Sequence, residues 1–599
     1  MNPGDIRKIY TGLKQKNETL LSELKKKHLL ISLLRLFIFI AGVILSAILI
    51  SRSLTGGIIV LVISIIFFIL LVKIYEDYSG RITFVQNLVR INDNEINALD
   101  GDLSAFEGGS DLNDPKHDFS CDIDLFGEDS LFRFLNRTVT GSGRSQLAAW
   151  LSGPYDLREE ITDRQEAVRE LAEKLEWRQQ FMASGFNKPL NDLEIHSLRE
   201  WLNENDDSYS SAIMRIASFV LPVGAIVTLS LVIAGVIPYI IFMLLFLFNL
   251  LLIGLYLKKS NRIHAMVSRK QLFLSSFEQL ISSFEKEEFK SDLMSDIKNK
   301  LCTGQGSVAN KIKELNNIIS AFDNRLNMFV GLILNGFLLW DFHCIIKLEK
   351  WRRSAASGMP VWLNLLGKAD GLISLANYSF NNDDNSFPEV VQNGPVLEAF
   401  RMSHPLLKRE TRVSNDFSVG RRGRVFIITG ANMAGKSTFL RTVAVNMVLA
   451  MTGAPVCAEK MRFTPLKLFT SMRTVDSLSH NESYFYAELK RLKALKERLE
   501  TGEEILFILD EILKGTNSTD KSLGSKQFLR RIIDLGGTGL IATHDISLGE
   551  MEAEYPGNVV NKCFEIEIDG ENIKFDYLLR DGITRKMNAA ALMRQMGIA

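Results

Sequence analysis

Two pairs of long apolar runs stand out from an otherwise mixed pattern of polar and apolar positions. The runs contain no charge beyond Arg35 and cover residues 29–50, 56–72, 216–233 and 237–257. Each is close to the length that a helix needs to cross the hydrocarbon core of a bilayer, and only short connectors separate the members of a pair. The pattern therefore predicts two transmembrane helical hairpins, within residues 28–78 and 211–260.

Basic residues flank the outer ends of both hairpins. They are Lys25, Lys26, Lys27, Lys73, Arg215, Lys258, Lys259 and Arg262, whereas the connectors carry only Arg52. By the positive-inside rule, we expect a multi-pass protein of the inner (cytoplasmic) membrane with both termini and all soluble domains in the cytoplasm. A secretory signal peptide and a buried helix pair are the competing interpretations. No acidic residue lies inside a run, which indicates anchoring rather than a transport pathway.

Helical periodicity dominates the segments between and after the hairpins. Amphipathic patterns predict a helix at 143–151, closed by Pro154, and a second helix at 163–181. Residues 262–353 predict two long helices, broken at 303–307, that form an antiparallel pair. The mixed charge of this pair is more typical of a solvated face than of a DNA-binding stripe.

Three smaller features complete the helical part. Residues 111–115 have the composition of a surface loop, and residues 381–385 indicate a turn before the last domain. Residues 328–346 are apolar but include several polar side chains, so we interpret them as a core helix and not as a fifth span.

A glycine-rich stretch follows an apolar, β-branched strand pattern at 425–429 and precedes a helix pattern at 439–449. Residues 430–438 fit the phosphate-binding pattern G-x-x-x-x-G-K-[ST]. The glycines let backbone N–H groups point at phosphate oxygens, Lys436 neutralises their charge and Ser437 ligates Mg²⁺. A glycine-rich turn that merely ends in Lys-Ser is the structural alternative. The candidate nucleotide-binding residues are Gly430, Asn432, Met433, Ala434, Gly435, Lys436, Ser437 and Thr438.

Two further strand patterns end in polar residues. The apolar run 505–509 is followed by Asp510 and Glu511, as nucleotide hydrolysis requires, because one carboxylate holds Mg²⁺ and the other polarises the attacking water. The run 539–543 is followed by His544. A single histidine is more often structural than catalytic, so His544 enters as a candidate only.

A capping box at Ser479 and Glu482 predicts the start of a helix that runs to about Leu499. Its N-terminal amides and the Ser483 hydroxyl suit a γ-phosphate offered by another molecule. A role as a helix cap alone is the alternative.

Composition limits the partners of the chain. The 599 residues are enough for several domains, and 70 basic against 70 acidic residues leave no overall field that would attract nucleic acid. Five cysteines stand far apart without a C-x-x-C motif, so we expect free thiols in a reducing compartment, with neither a disulfide framework nor a zinc site.

Taken together, these motifs resemble the ATPase domain of the MutS family of DNA mismatch repair proteins. The resemblance rests on the glycine-rich stretch, on Ser483-Tyr484-Phe485-Tyr486-Ala487-Glu488, on residues 510–520 and on Thr543-His544. Residues 136–151 and 404–407 are similar to the family's core domain and to the segment before its ATPase. The resemblance covers roughly residues 117–205 and 262–599.

Membership would imply an ABC-type ATPase that binds ATP and Mg²⁺ and works as a homodimer. Each composite site would take Lys436, Ser437, Asp510 and Glu511 from one chain and Ser483 from the other. Asn432 would be the phosphate-loop asparagine and His544 the switch histidine, and residues 577–582 and 597–598 would return to the ATPase core. Duplex or structured DNA is the partner that the family suggests.

The sequence also departs from the family. Mismatch readers carry an N-terminal domain whose Phe-x-Glu wedges into the duplex, but here an apolar hairpin stands in that place. Phe126-Gly127-Glu128 spells the triplet at the core boundary without that domain. The segment for a DNA clamp is short, and the sequence ends at Ala599 without a helix-turn-helix. We therefore expect ATP hydrolysis rather than mismatch recognition.

The predicted fold is an α/β ABC-type P-loop ATPase domain with an all-α core or lever domain and two transmembrane hairpins. The predicted divisions are 1–27, a cytoplasmic segment; 28–78, hairpin one; 79–210, core, first part; 211–260, hairpin two; 261–385, helical core, second part; and 386–599, ATPase. The predicted function is a membrane-anchored, dimeric MutS-like ATPase coupled to DNA. The alternative is an ABC-like regulatory ATPase that acts on a protein or membrane partner, and a transporter is a weaker third.

Overall fold

The computed structural model describes residues 3–153, 158–186, 200–202, 212–268, 271–302, 307–355, 358–473, 484–514, 517–569 and 572–584. The helices are α1 (Pro3–Ile50), α2 (Leu54–Leu99), α3 (Leu131–Leu135), α4 (Gly141–Ser152), α5 (Arg158–Glu173), α6 (Leu175–Gly185), α7 (Ala212–Ile233), α8 (Tyr239–Ser268), α9 (Gln271–Glu285), α10 (Asp292–Cys302), α11 (Val308–Asp323), α12 (Met328–Leu338), α13 (Trp340–Ala355), α14 (Met359–Asn381), α15 (Lys436–Thr452), α16 (Tyr484–Glu500), α17 (Ser518–Asp534) and α18 (Met551–Glu554).

The strands all follow α14. They are β1 (Glu389–Val390), β2 (Leu397–Met402), β3 (Asn415–Val419), β4 (Val425–Gly430), β5 (Lys460–Phe463), β6 (Lys467–Ser471), β7 (Ile505–Asp510), β8 (Thr538–Thr543), β9 (Val559–Asp569) and β10 (Asn572–Asp581). Short 3₁₀ turns occur at Ser110–Leu112, Asn324–Leu326 and Ile546–Glu550. The chain is therefore a helical part followed by an α/β part, in the predicted order.

All four predicted apolar runs lie in helices, except that Ile237 and Pro238 precede the start of α8 at Tyr239. Within the described ranges, α1, α2, α7 and α8 are long and apolar enough to cross a membrane, and most of their apolar side chains point outwards. Ser53 caps the N-terminus of α2 with its hydroxyl, which accepts from the Gly56 amide at 3.3 Å and closes the first hairpin. The predicted hairpins are confirmed as helix pairs.

Helices α1 and α2 continue well beyond their apolar runs and pack on the helical core. The Tyr10 hydroxyl donates to the Asn381 side-chain oxygen at 2.8 Å, and the Asn381 amide donates to Glu95 at 2.8 Å. Glu95 in turn pairs with Arg137 at 2.5 Å, and both side chains are almost fully buried. A buried pair of this kind holds only with its hydrogen-bond partners in place, so the network fixes the base of the first hairpin on the core. The predicted division at residue 79 falls inside a continuous helix.

The predicted single helix at 163–181 is wrong. The chain leaves the helical conformation at Lys174, so that α5 ends at Glu173 and α6 starts at Leu175. After the break, α6 packs against α9. The Trp177 indole donates to the Ser283 carbonyl at 3.1 Å, and the Trp177 ring meets Phe284 edge-on. Burial of these aromatic rings outweighs helix continuity at one residue.

The prediction of two long helices over 262–353 is also wrong. Helix α8 extends from the second hairpin to Ser268, and the rest forms α9 to α13. One cause of the breaks is side-chain capping: the Glu170 carboxylate accepts from the Lys290 and Ser291 amides at 2.7 and 2.9 Å, and the Asn327 side chain caps α12. Capping by a residue more than a hundred positions away leaves no local signal in the sequence.

The interpretation of 328–346 as one core helix is wrong as well, and the bent pair α12–α13 is together long and apolar enough to count as a fifth candidate span. Helix α12 packs on α7 and α8 with an exposed apolar face, and Phe329 is 73% exposed. At Leu339 the chain adopts a left-handed conformation, and α12 and α13 meet at 81°. Buried Asp341, which lies 3.1 Å from Arg325 and accepts from the Ser260 hydroxyl at 2.8 Å, holds the start of α13 at this bend.

Two sheets form the α/β part. A four-stranded sheet has the order β1-β5-β2-β3, and a six-stranded sheet has the order β10-β9-β4-β8-β7-β6. In the larger sheet β10 is antiparallel to β9 and all other neighbours are parallel. Thr429 pairs with Thr543 and Asp510 with Ala542, so β4, β7 and β8 end at one edge of the sheet. Ligands of open parallel sheets bind at this edge.

Residues 117–124 of the helical part bind the α/β part through carboxylates. Asp118 pairs with Arg498 of α16 at 2.6 Å, and Asp122 accepts from the Thr470 hydroxyl of β6 at 2.5 Å. On the other side of the joint, the Arg164 guanidinium of α5 donates to the Thr452 and Met451 carbonyls at 2.9 and 3.0 Å. A cation at this position provides hydrogen bonds to the last carbonyls of α15 and interacts favourably with the negative end of its helix dipole.

We predict that Arg164→Ala lowers the stability of the α/β part by about 2–3 kcal/mol, because two buried carbonyls lose a charged donor. On the scale of a domain of this size, the melting temperature of the detergent-solubilised protein falls by roughly 4–10 °C. Arg158→Ala, at the exposed start of the same helix, is the matched control and leaves the melting temperature unchanged. Equal melting temperatures for the two variants would contradict the proposed contribution of the Arg164 contacts between α5 and α15.

Candidate functional site

The glycine-rich loop, residues 430–435, connects β4 to α15 at the edge where the parallel strands end. Gly435 has φ +106°, and a side chain there would also crowd the Tyr577 ring, which lies 3.1 Å from the position of an added Cβ. Met433 adopts φ +64° with its side chain exposed. Because Gly435 permits this turn, the first amides of α15 face the space above the loop. The predicted strand, loop and helix are confirmed.

Lys436 is the first residue of α15 and lies almost completely buried under the loop. Its ammonium donates to the Gly430 and Ala431 carbonyl oxygens, both at 2.8 Å. Burial lowers the pKa of Lys436 to about 8, although the charges of Asp510 and Glu511 oppose this shift. A buried cation attracts phosphate more strongly than an exposed one, because water screens it poorly.

Ser437 and Asp510 meet although 73 positions separate them. The Ser437 hydroxyl donates to the Asp510 carboxylate at 2.5 Å. Thr438, Asn432 and Ala434 line the same cleft. A hydroxyl and a carboxylate oxygen are hard ligands of the kind that Mg²⁺ accepts, and the two predicted metal ligands lie side by side.

Glu511 and His544 face each other across the strand ends. The Glu511 amide continues the β7–β8 ladder by donating to the Ala542 carbonyl at 2.9 Å. Its carboxylate lies 3.3 Å from His544 Nε2 and 3.7 Å from the Lys514 ammonium. Burial and the nearby Lys436 charge lower the pKa of His544, although the two carboxylates oppose this. The lowered pKa favours the neutral imidazole, whose single N–H can donate either to Glu511 or to the Gly430 carbonyl. Donation to Glu511 orients that carboxylate without neutralising it.

The cleft above the loop has a volume of about 590 Å³. Its lining also includes side chains that the sequence did not predict as ligand contacts: Met402, His404, Leu407, Thr411, Val413 and Tyr577. Of these, His404, Leu407 and Tyr577 lie in segments that the resemblance singles out, whereas Met402, Thr411 and Val413 have no signal in the sequence. Burial, with help from Arg441, lowers the pKa of His404 to about 4, so that this ring is neutral. This part of the lining is of the mixed apolar and aromatic kind that suits a flat base.

Tyr577 reaches the cleft through an irregularity in β10. The pairing of β9 with β10 shifts register between Phe575 and Leu579, and Tyr577 itself has φ +57°. The Asn415 side chain holds this bulge, since its amide donates to the Tyr577 carbonyl and its oxygen accepts from the Leu579 amide. Residues 577–581 return to the six-stranded sheet as part of β10, its edge strand, which pairs with β9. Nothing local in the sequence indicates the bulge.

Some predicted features lie elsewhere. Ser483, its capping box and residues 597–598 fall outside the described residues, and α16 begins directly after Ser483, at Tyr484. Phe126 packs against Phe132, and the Gly127 amide donates to the Gly108 carbonyl, so the Phe-Gly-Glu triplet is part of the core surface. All five cysteines are free thiols, and among the described residues no group of three or more His, Cys, Asp or Glu side chains is placed to hold a metal ion.

Comparison with known proteins agrees with this arrangement. The family model described as MutS domain V matches residues 426–597, and the model described as MutS domain III matches residues 117–326. These two matches cover the sheet that carries the cleft and helices α3 to α11, and they leave α1, α2 and α12 to α14 outside. The mixed α/β sheets and the helical core fit these two domains.

Individual relatives match at about 30% identity. The DNA mismatch repair protein MutS of Thermotoga petrophila is 31% identical over 236 residues, which is 39% of this chain and 29% of the relative. The DNA mismatch repair protein MSH4 of Arabidopsis thaliana is 30% identical over 249 residues, 40% and 30% of the two chains. The human MutS protein homolog 4 is 32% identical over 257 residues, 41% and 25%.

The chain thus spans less than a third of the length of each of these relatives. The matches nevertheless agree with the motifs and with the geometry of the cleft. On the two family models, the relatives and the fold together, the chain belongs to the MutS family.

Proposed function

We propose that the protein is a membrane-anchored, Mg²⁺-dependent ATP hydrolase with an ABC-type P-loop ATPase domain that works as a homodimer. The observation that carries this proposal is the convergence of Lys436, Ser437, Asp510 and Glu511 at one end of the glycine-rich loop. Phosphoryl transfer to water needs a phosphate cradle, a metal site and a group that orients the water. The cleft provides a candidate for each.

The residues divide this work by their chemistry. The loop amides and Lys436 bind the phosphates of ATP, and the apolar side chains of the lining, together with Tyr577, contact the base. Ser437 and Asp510 would hold Mg²⁺, which when bound neutralises charge that develops on the phosphates. Glu511 accepts a proton from the attacking water, while His544 orients its carboxylate from 3.3 Å away. We assign Asn432 to the phosphate loop and Ser483 to the partner's γ-phosphate by family resemblance.

The proposal of a dimer is based on the position of α16. This helix starts at Tyr484, immediately after Ser483, and its residue Arg498 is tied to the core through Asp118. In an ABC-like dimer the N-terminus of this helix faces the nucleotide of the second copy, where its amides stabilise phosphate charge. Each active site would then need residues from both chains.

Duplex or structured DNA is the first candidate partner, because the relatives are named as DNA mismatch repair proteins. The alternative is a regulatory ATPase that acts on a protein or membrane partner. Two observations favour this alternative. The net charge is zero, and α1 and α2 pack directly on the helical core through the contacts of Tyr10 and Glu95. Binding to duplex DNA that weakens steeply with salt would support the first, since phosphate contacts release counterions.

The membrane proposal rests on α1, α2, α7 and α8. Their apolar side chains point outwards, and the basic residues lie at the ends away from the connectors. The inner membrane with cytoplasmic domains is the arrangement that these charges favour.

We predict that Glu511→Gln binds ATP with unchanged affinity but hydrolyses it at least ~100-fold more slowly, because the amide cannot accept the proton of the water. Binding is measured with a fluorescent nucleotide and turnover by phosphate release. Glu503→Gln, outside the cleft, serves as the control. Normal turnover by Glu511→Gln would remove this residue from the mechanism.

Nucleotide affinity should fall as pH rises through the pKa of Lys436, about 8. Below this pKa the ammonium is charged and binds phosphate, and above it the neutral amine does not. The dissociation constant of Mg²⁺-ATP should therefore rise by ~10-fold from pH 7 to pH 9. Lys436→Arg keeps its charge throughout this range and should show no such rise. A wild-type constant that stays flat between these pH values contradicts the assignment.

In intact cells, a cysteine at Thr55, in the first turn of α2 next to the connector, should react with a membrane-impermeant maleimide, and a cysteine at Ser110 should not. Both sites are exposed. The single cysteines are introduced into a variant in which all five native cysteines have been replaced. Labelling of both positions after the membrane is permeabilised is the control for reactivity. The reverse pattern in intact cells would overturn the proposed orientation.

A further inference from the structure

Glu488, on the second turn of α16, is a buried carboxylate that the proposed mechanism does not use. Its side chain is only 4% exposed and does not line the cleft. Its two oxygens accept from consecutive backbone amides, Leu513 at 2.6 Å and Lys514 at 3.2 Å. Burial raises the pKa of Glu488, and these two amides oppose the rise. A carboxylate is buried at this cost only where it holds something in place.

The segment that Glu488 holds is the one that presents Glu511. Residues 511–514 leave β7 in an unusual conformation, with φ +51° at Glu511 and φ +62° at Leu513. Neither residue is glycine, so both are strained and need support from their surroundings. The Glu511 amide bonds the Ala542 carbonyl on the sheet side. On the other side, the two amides held by Glu488 fix the end of the segment.

Residues 511–514 are also packed between α16 and α17. Ile512 and Leu513 are buried in the cluster that includes Leu492 and Leu495 of α16. Gly524 of α17 approaches so closely that an added Cβ would lie 2.8 Å from a Leu513 methyl group. The apolar contacts set the depth of the segment, and the directional bonds to Glu488 set its rotation, which decides where the Glu511 carboxylate points.

We propose that Glu488 is a positioning residue for ATP hydrolysis, acting through Glu511 by clamping the 513–514 amides. The inference rests on the proposed function. It also makes α16 a rigid connection between the N-terminus next to Ser483 and the loop that carries the catalytic carboxylate of the same chain. A displacement of about 1 Å at a reacting group costs on the order of 100-fold in rate, so a small rotation of this segment is enough to matter.

A merely structural role for Glu488 predicts different results. If the carboxylate only stabilises the fold, its loss lowers the melting temperature while the folded fraction keeps its kcat. If it positions Glu511, kcat falls in folded protein, while ATP affinity is preserved because the glycine-rich loop and Lys436 are untouched.

The test compares Glu488→Gln and Glu488→Ala with Glu497→Gln, a control on the exposed side of the same helix. The glutamine keeps one acceptor oxygen and the alanine keeps none. We expect kcat to fall ~10-fold for the glutamine and ~100-fold for the alanine. The dissociation constant of Mg²⁺-ATP should stay within about threefold of wild type, and the control should match wild type in both measurements. Melting curves identify the temperature at which all variants are folded, and Glu488→Gln remains informative if Glu488→Ala is unstable.

A double-mutant cycle with Glu511→Gln then identifies the route of the effect. Because Glu488 acts through Glu511, adding Glu488→Gln to Glu511→Gln should cost no further activity. A full additional ~10-fold loss in the double variant, or a wild-type kcat in folded Glu488→Gln, overturns the inference while leaving the proposed function intact. A wild-type protein that hydrolyses no ATP overturns the proposed function itself.

Discussion

The parallel register of three strands is the constraint on which the rest of the candidate site depends. Thr429 of β4 pairs with Thr543 of β8, and Ala542 of β8 pairs with Asp510 of β7. This register brings the ends of all three strands to one edge, where the glycine-rich loop, the two carboxylates and His544 follow within one or two residues. A slip of one residue would turn each of these strands over and send its side chains to the opposite face. The buried faces of the sheet therefore position the candidate catalytic groups as much as they stabilise the domain.

Much of this site was predictable because each part is encoded locally. A strand pattern, a glycine-rich turn and a helix pattern are contiguous in the sequence, and Asp510, Glu511 and His544 each follow an apolar run of strand length. Since parallel strands end at one edge, local patterns are sufficient to predict that these groups meet. The helices of the two hairpins were predictable for the same reason, because a long uninterrupted apolar run is itself a local signal for a helix of that length.

The features that could not be predicted depend on contacts between distant residues. The ends of the helices between 262 and 355 are set by caps such as Glu170, and the bend at Leu339 is set by the buried contact of Asp341 with Arg325. Tyr577 enters the cleft only because Asn415 holds a bulge. Glu488 belongs to the motif 483–488, but nothing in that motif indicates that its carboxylate accepts from the Leu513 and Lys514 amides. In each case a tertiary hydrogen bond overrides the local preference of the chain, and no periodicity reports it.

The central claim is that this cleft hydrolyses ATP with Mg²⁺ held between Ser437 and Asp510. The most direct measurement is steady-state ADP release by the full chain in lipid nanodiscs, with Mg²⁺ titrated and then removed by a chelator, beside an Asp510→Ala variant. The account predicts saturable turnover that depends on Mg²⁺, stops on chelation and is lost in the variant. Absence of turnover in the wild-type protein, or turnover that survives both chelation and the loss of Asp510, would contradict it.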